Sequence, residues 1–211
     1  MKKFELTAEF VTNVFGKKLF RIKALVAFGN VEKGELGGFI EKEDNLSHDG
    51  NAWVYGNAQV SGNAWVSGNA WVSGNAWVSG NAQVSGNAQV SGNAWVSGNA
   101  QVSGNARVYG NAQVSGNAWV SGNARVSGNA RVSGNADYAV VAGFGRYFRT
   151  TTFFRCKDKI LRVQCGCFYG DLAQFREIVK KTHGDSKYAK EYLAIADLME
   201  LHFSYECGGE Q

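Results

Sequence analysis

The chain has 211 residues, 27 of them Gly and none Pro, with a formal net charge of +4. Gly far above the usual ~7% with no Pro excludes collagen and a Pro-rich linker, and points to a short repeated unit with Gly at a fixed position. Residues 1–49 hold eight basic and eight acidic side chains, and the segment from Asp137 onward holds eleven and ten. Between them the only charges are Arg107, Arg125 and Arg131. Three Arg are too few to argue for nucleic acid, and the near absence of acid excludes a DNA mimic. No apolar run suits a signal peptide or approaches the ~20 residues of a membrane helix. Four Cys without a secretory signal fit a reducing cytoplasm.

In chain order, residues 1–49 read as a β cap. Phe4 to Val14 and Lys18 to Phe28 form a hairpin around Gly16, and Gly37 to Ser47 leads into the first coil. Residues 50–139 are fifteen copies of G-N-A-x-V-S, the last degenerate as GNADYA. Ala and Val stand two apart, so both point to one side of an extended strand while x and Ser point to the other. Gly-Asn supplies the bend, because these residues tolerate left-handed backbone angles at least cost. Three six-residue sides make a triangular coil of 18 residues, and the array predicts about five stacked coils, roughly 24 Å tall at ~4.8 Å per coil. Each Asn then lies above its equivalent one coil on, which predicts amide ladders along the corners.

The variable position maps the outer surface. One face carries Trp53, Trp71, Gln89, Arg107 and Arg125; the second Gln59, Trp77, Trp95, Gln113 and Arg131; the third Trp65, Gln83, Gln101, Trp119 and Asp137. All six Trp of the protein occupy this position, concentrated toward the N-terminal coils, with Arg toward the C-terminal coils. Tyr55 and Tyr109 replace Ser on the first face only. Trp53 is expected to stack on Trp71, and Trp77 on Trp95. Ladders of like residues stabilise a sheet, but exposed Trp on this scale also suits a contact surface. The candidate contact residues are therefore the six Trp, Tyr55, Tyr109, Arg107, Arg125 and Arg131.

Residues 140–211 read as a small ββαα domain. Tyr147 to Arg155 and Lys159 to Gln164 are strands, Cys165 to Gly170 is a turn, and Asp171 caps a first helix carrying Leu172, Phe175, Ile178 and Val179. A second helix spans about Lys187 to Phe203. Cys156, Cys165, Cys167 and Cys207 lie in this tail near His202; a C-x-C pair with two distant Cys could hold zinc, but the stronger C-x₂-C signal is absent and the thiols read as buried and structural. Gly143-x-Gly145 is too short for a dinucleotide fingerprint.

The inward Ala52, Ala58 and Ala64 with Val54, Val60 and Val66, and their successors, resemble the left-handed parallel β-helix of the hexapeptide-repeat family. That resemblance implies left-handed winding and trimers joined through flat faces. It also raises two chemistries of the family: acyl transfer with a His general base, and zinc hydration by three His at subunit interfaces. The repeats contain no His, Glu, Cys or Lys, and His48 is the sole His near the coils. The whole chain resembles hypothetical phage and prophage proteins with a hexapeptide-repeat middle. The expectation is a mainly β protein with an N-terminal β cap and a C-terminal α+β domain, non-catalytic and without cofactor or metal. It would act as a homo-oligomer, dimer or trimer, in the host cytoplasm, away from membrane and nucleic acid, through a host protein partner, as in inhibition of antiviral defence. A polymer-forming element and a hexapeptide acyltransferase are the alternatives.

Overall fold

A computed structural model describes residues 1–204. Strands β1 (Phe4–Thr12) and β2 (Lys18–Ala24) form the antiparallel hairpin, and β3 (Leu36–Ile40) pairs with β2. Fourteen two-residue strands follow, β4 (Trp53–Val54) through β17 (Arg131–Val132), one in each of the first fourteen units of the repeat. They pair in parallel at 18-residue steps, giving three sheets and a β-solenoid of about five turns.

The alternation set by the repeat decides the interior. Every Ala and Val of these units, from Ala52 and Val54 to Ala130 and Val132, is buried in one continuous core. The bends need Gly. Gly86 sits at φ +67, and a Cβ there would lie 3.0 Å from the backbone N of Gly104 in the next turn. Backbone N–H groups of each turn donate to carbonyls of the next, as Asn87 N does to Gly104 O at 2.8 Å. The corner Asn side chains form the expected ladders, Asn51 to Asn69 to Asn87 to Asn105 to Asn123 along one edge and Asn63 to Asn81 to Asn99 to Asn117 along another.

The solenoid departs from the fifteen-unit reading at both ends. It begins earlier, because Phe39 and Ile40 pair in parallel with Gln59 and Val60, and Leu46 bridges Val66. It ends one side sooner. The fifteenth unit turns through a short 3₁₀ helix at Asn135–Asp137, where the Asp137 carboxylate accepts from the N–H groups of Ser133 and Gly134. Tyr138 stands where every earlier unit has Val, and its ring is too large for the inward slot.

Tyr138 instead opens β18 (Tyr138–Phe144), which forms an antiparallel sheet with β19 (Arg149–Arg155), β20 (Leu161–Cys165) and β21 (Phe168–Asp171). The two expected strands are therefore four, and part of the expected turn at Cys165 to Gly170 is strand. Helices α1 (Leu172–His183) and α2 (Lys187–Ser204) pack on this sheet through Phe153, Phe175, Tyr192 and Met199. Asp171 caps α1 by accepting from Gln174 N, and the Gln174 side chain returns to Asp171 N. Among the described residues no helix is long and apolar enough to cross a membrane.

Candidate functional site

An open solenoid end exposes unpaired strand groups, and both ends here are closed by specific side chains. At the N-terminal end, Lys3 Nζ donates to Ala52 O at 2.9 Å and to Gly50 O at 3.4 Å. Asn45 Nδ2 donates to Ala64 O and Gly62 O, and β3 covers the remaining side. Burial pushes the Lys3 ammonium down from 10.5 to about 8, with Asp49 opposing the shift. Glu41 accepts from Gly62 N; burial would raise its carboxyl, but that hydrogen bond together with Lys17 and Lys42 holds it below 4.5. At the C-terminal end, Thr152 Oγ1 accepts from Arg125 N, Asn135 Oδ1 from Trp119 N, and Ala130 bridges Cys156. These caps set which outer positions remain open.

The register places the three faces as the sequence maps them, apart from Asp137. Their exposure differs. Trp53 is fully buried, against the expectation that it faces outward, because Phe4 and Phe28 of the cap pack on its ring at 6.3 and 5.4 Å. It is Trp71's cross-strand partner, but Trp71 takes the Tyr55 ring edge-on at 5.7 Å. Trp77 and Trp95 meet at 5.5 Å, and Phe15 from the hairpin turn stacks on Trp77. Tyr55 is half-buried against the solenoid core, and Tyr109 is half-buried beneath the C-terminal domain, its hydroxyl 3.4 Å from Gln164 Oε1. Trp65 and Trp119 remain 46% and 54% exposed, and neither has an aromatic partner among the described residues. Arg107, Arg125 and Arg131 are exposed.

The candidate contact surface thus separates into two parts. The third face is a flat, uncharged, four-stranded sheet running Trp65, Gln83, Gln101, Trp119. The C-terminal half of the first face carries Arg107 beside Arg125 in direct register. Of the other chemistry-bearing groups, His48 is half-buried in the cap, its ring stacked on Phe4 at 4.4 Å and its Nδ1 accepting from Lys3 N. Cys156 is buried, with burial raising its thiol, whereas Cys165 is half-buried and Cys167 exposed, so the tail thiols are not uniformly buried. Cys207 lies outside the described residues. Among the described residues no three His, Cys, Asp or Glu side chains gather as a metal site would require.

Continuous Ala/Val core, 18-residue parallel register and closed ends define the class: a capped β-solenoid. Seven segments, residues 58–74, 65–80, 70–86, 82–98, 100–116, 112–126 and 124–136, match the family described as YdcK Beta solenoid repeat. No match to the chain was found among curated proteins.

Proposed function

We propose that the protein is a non-catalytic binding scaffold acting through protein–protein contacts, with the third solenoid face as its contact surface. The observation that carries this reading is the pair of half-exposed indoles, Trp65 and Trp119, on a face whose strands carry no charge. Their equivalents on the other faces each meet another aromatic ring, Trp53 with Phe4, Trp77 with Phe15, Trp71 with Tyr55 and Trp95 with Trp77. Large apolar side chains left open on a rigid surface suit contact, not fold stability.

The first partner for this face is a second copy of the chain. Its order Trp-Gln-Gln-Trp reads the same from either end, so in a two-fold pair indole meets indole and amide meets amide whichever way the copies run. No like charges oppose each other across it. Four strands at ~4.8 Å make a small interface, which predicts weak, concentration-dependent pairing. Coils wound left-handed, as in the hexapeptide-repeat class, complete the reading of the fold. The resemblance to phage and prophage proteins supports action in a host cytoplasm, the remaining partner being a host protein and the concrete version an inhibitor of antiviral defence.

Two alternatives weigh less. End-to-end polymerisation is opposed by the capping at Lys3, Asn45, Thr152 and Asn135. Acyl transfer on His48 is opposed by its engagement with Phe4 and Lys3. Light scattering over a concentration series separates these readings. A monomer passing to a dimer supports the scaffold; a mass growing without limit overturns it in favour of the polymer. An acyl-CoA-dependent activity abolished by His48→Ala overturns it in favour of the enzyme.

A further inference from the structure

Between the C-terminal half of the first face and the small domain lies a groove of about 850 Å³. Three arginines line it: Arg107 and Arg125 from the solenoid and Arg149 from β19. The remaining wall is neutral, including Asn105 and Asn123 of the corner ladder, and contains no carboxylate. Arg107 and Arg125 are direct cross-strand partners, an arrangement that is destabilising for like charges unless something neutralises them. Arg21, Arg155, Arg162 and Arg176 each meet a carboxylate, whereas Arg131 and Arg146 have no such ion pair among the described residues. Among the described residues the three arginines of the groove meet none either.

Arg149 is also held in place. Its guanidinium lies 5.0 Å over the Tyr147 ring and passes over Gly166, where a Cβ would come within 2.5 Å of Nη1. The Gly of Cys165-Gly166-Cys167 therefore makes room for this arginine. Arg149 and Cys167 line a second cavity as well, a pocket of about 190 Å³ between the small domain's sheet and helices, walled by Tyr147, Phe168, Ile178 and His183. The cationic groove and the aromatic pocket are thus neighbours that share Arg149 and Cys167 in their walls.

We propose that the groove and the pocket beside it together bind a phosphate-bearing ligand with a flat aromatic end, a nucleotide in chemical class. The phosphates lie across Arg107, Arg125 and Arg149, where guanidinium forks match phosphate oxygens. The ring enters the aromatic pocket, where stacking adds to affinity. The pocket is too small for a long acyl chain but of the size of one ring system, and the groove itself falls in the ordinary range for small-molecule sites. This site lies apart from the third face and stands or falls independently of self-association.

Calorimetric titration of the full chain with ATP, GTP and UTP, alongside pyrophosphate, laurate and a single-stranded oligonucleotide, tests the proposal. At least one nucleotide should bind about tenfold or more tighter than pyrophosphate, and Arg107→Gln or Arg125→Gln should weaken it about tenfold with a melting temperature no lower than the native chain's, since each relieves the like-charge pair. Gln already occupies the same position in other turns, so these variants keep the fold. Arg149→Gln should weaken binding in the same direction. The proposal is overturned if no nucleotide binds, if pyrophosphate binds as tightly as every nucleotide, or if binding survives the arginine substitutions. Tighter binding of laurate or of the oligonucleotide overturns it equally.

Discussion

Replacing Lys3 by Met isolates the ammonium that closes the N-terminal edge of the first face. Met keeps most of the apolar stem but leaves the carbonyls of Gly50 and Ala52 without their donor. A hydrogen bond to a charged group contributes about 1.5–3 kcal/mol, and an orphaned buried carbonyl costs about 1–3. Against this stands the cost of burying the charge. The fall of the Lys3 ammonium from 10.5 to about 8 corresponds to at most about 3 kcal/mol, cut to about 1–2 by solvent screening at the cap. The net loss at pH 7 should therefore be about 1–3 kcal/mol. The pH dependence separates the two contributions. Because the folded form releases its proton near 8 and the unfolded form near 10.5, the unfolded state holds more protons in that window, and stability rises with pH across it. Urea denaturation at pH 7, 8, 9 and 9.5 reads this directly. The native chain should gain stability between pH 8 and 9.5, and Lys3→Met should lose that gain along with its stability at pH 7. A variant as stable as the native chain at pH 7, or with the same slope above pH 8, would refute the capping role.

Other substitutions probe the remaining parts of the account. Trp53→Gln should cost about 3–5 kcal/mol because it empties a fully buried site, whereas Trp65→Gln should shift the thermal midpoint little; equal effects would erase the distinction between the two indoles. Glu41 is held below its ordinary 4.5, so its contribution is present above that pH and lost as pH falls through its folded value. Acid unfolding of Glu41→Gln should accordingly be flatter below pH 4.5 than that of the native chain, and an unchanged acid limb would count against the Gly62 hydrogen bond. Gly86→Ala forces a side chain into a positive-φ corner against Gly104 and should lower stability by about 1–3 kcal/mol in denaturant titration; a neutral result would mean the corner relaxes.

The solenoid was legible because its information is local. A six-residue period with Ala and Val two apart decides which side chains point inward, and the 18-residue step then orders the faces and the Asn ladders. The caps were less legible because they depend on contacts far apart in sequence. Nothing near Trp53 says that Phe4, 49 positions earlier, folds over it. The early exit of the chain did carry a signal, since Tyr138 replaces the inward Val and Asp137 can turn the backbone back on itself. Strand β21 was obscured because Cys165 to Gly170 reads as a turn, and the start of β18 because residues 137–139 read as the last repeat unit. The arginine groove was half visible: Arg107 and Arg125 stood out as charges in a neutral repeat, but their meeting with Arg149 depends on how the small domain docks. Gln164, which accepts from Tyr109 and Ser127, is part of that docking and had no sequence signature.

The central claim is that the third face is a contact surface with a second copy as its first partner. Sedimentation equilibrium of the native chain and of the Trp65→Gln, Trp119→Gln double variant, over the same concentration range, tests it most directly. The native mass should rise from monomer toward dimer, and the double variant should stay monomeric with an unchanged thermal midpoint. A native chain that remains monomeric throughout, or a double variant that pairs as readily as the native chain, would contradict it.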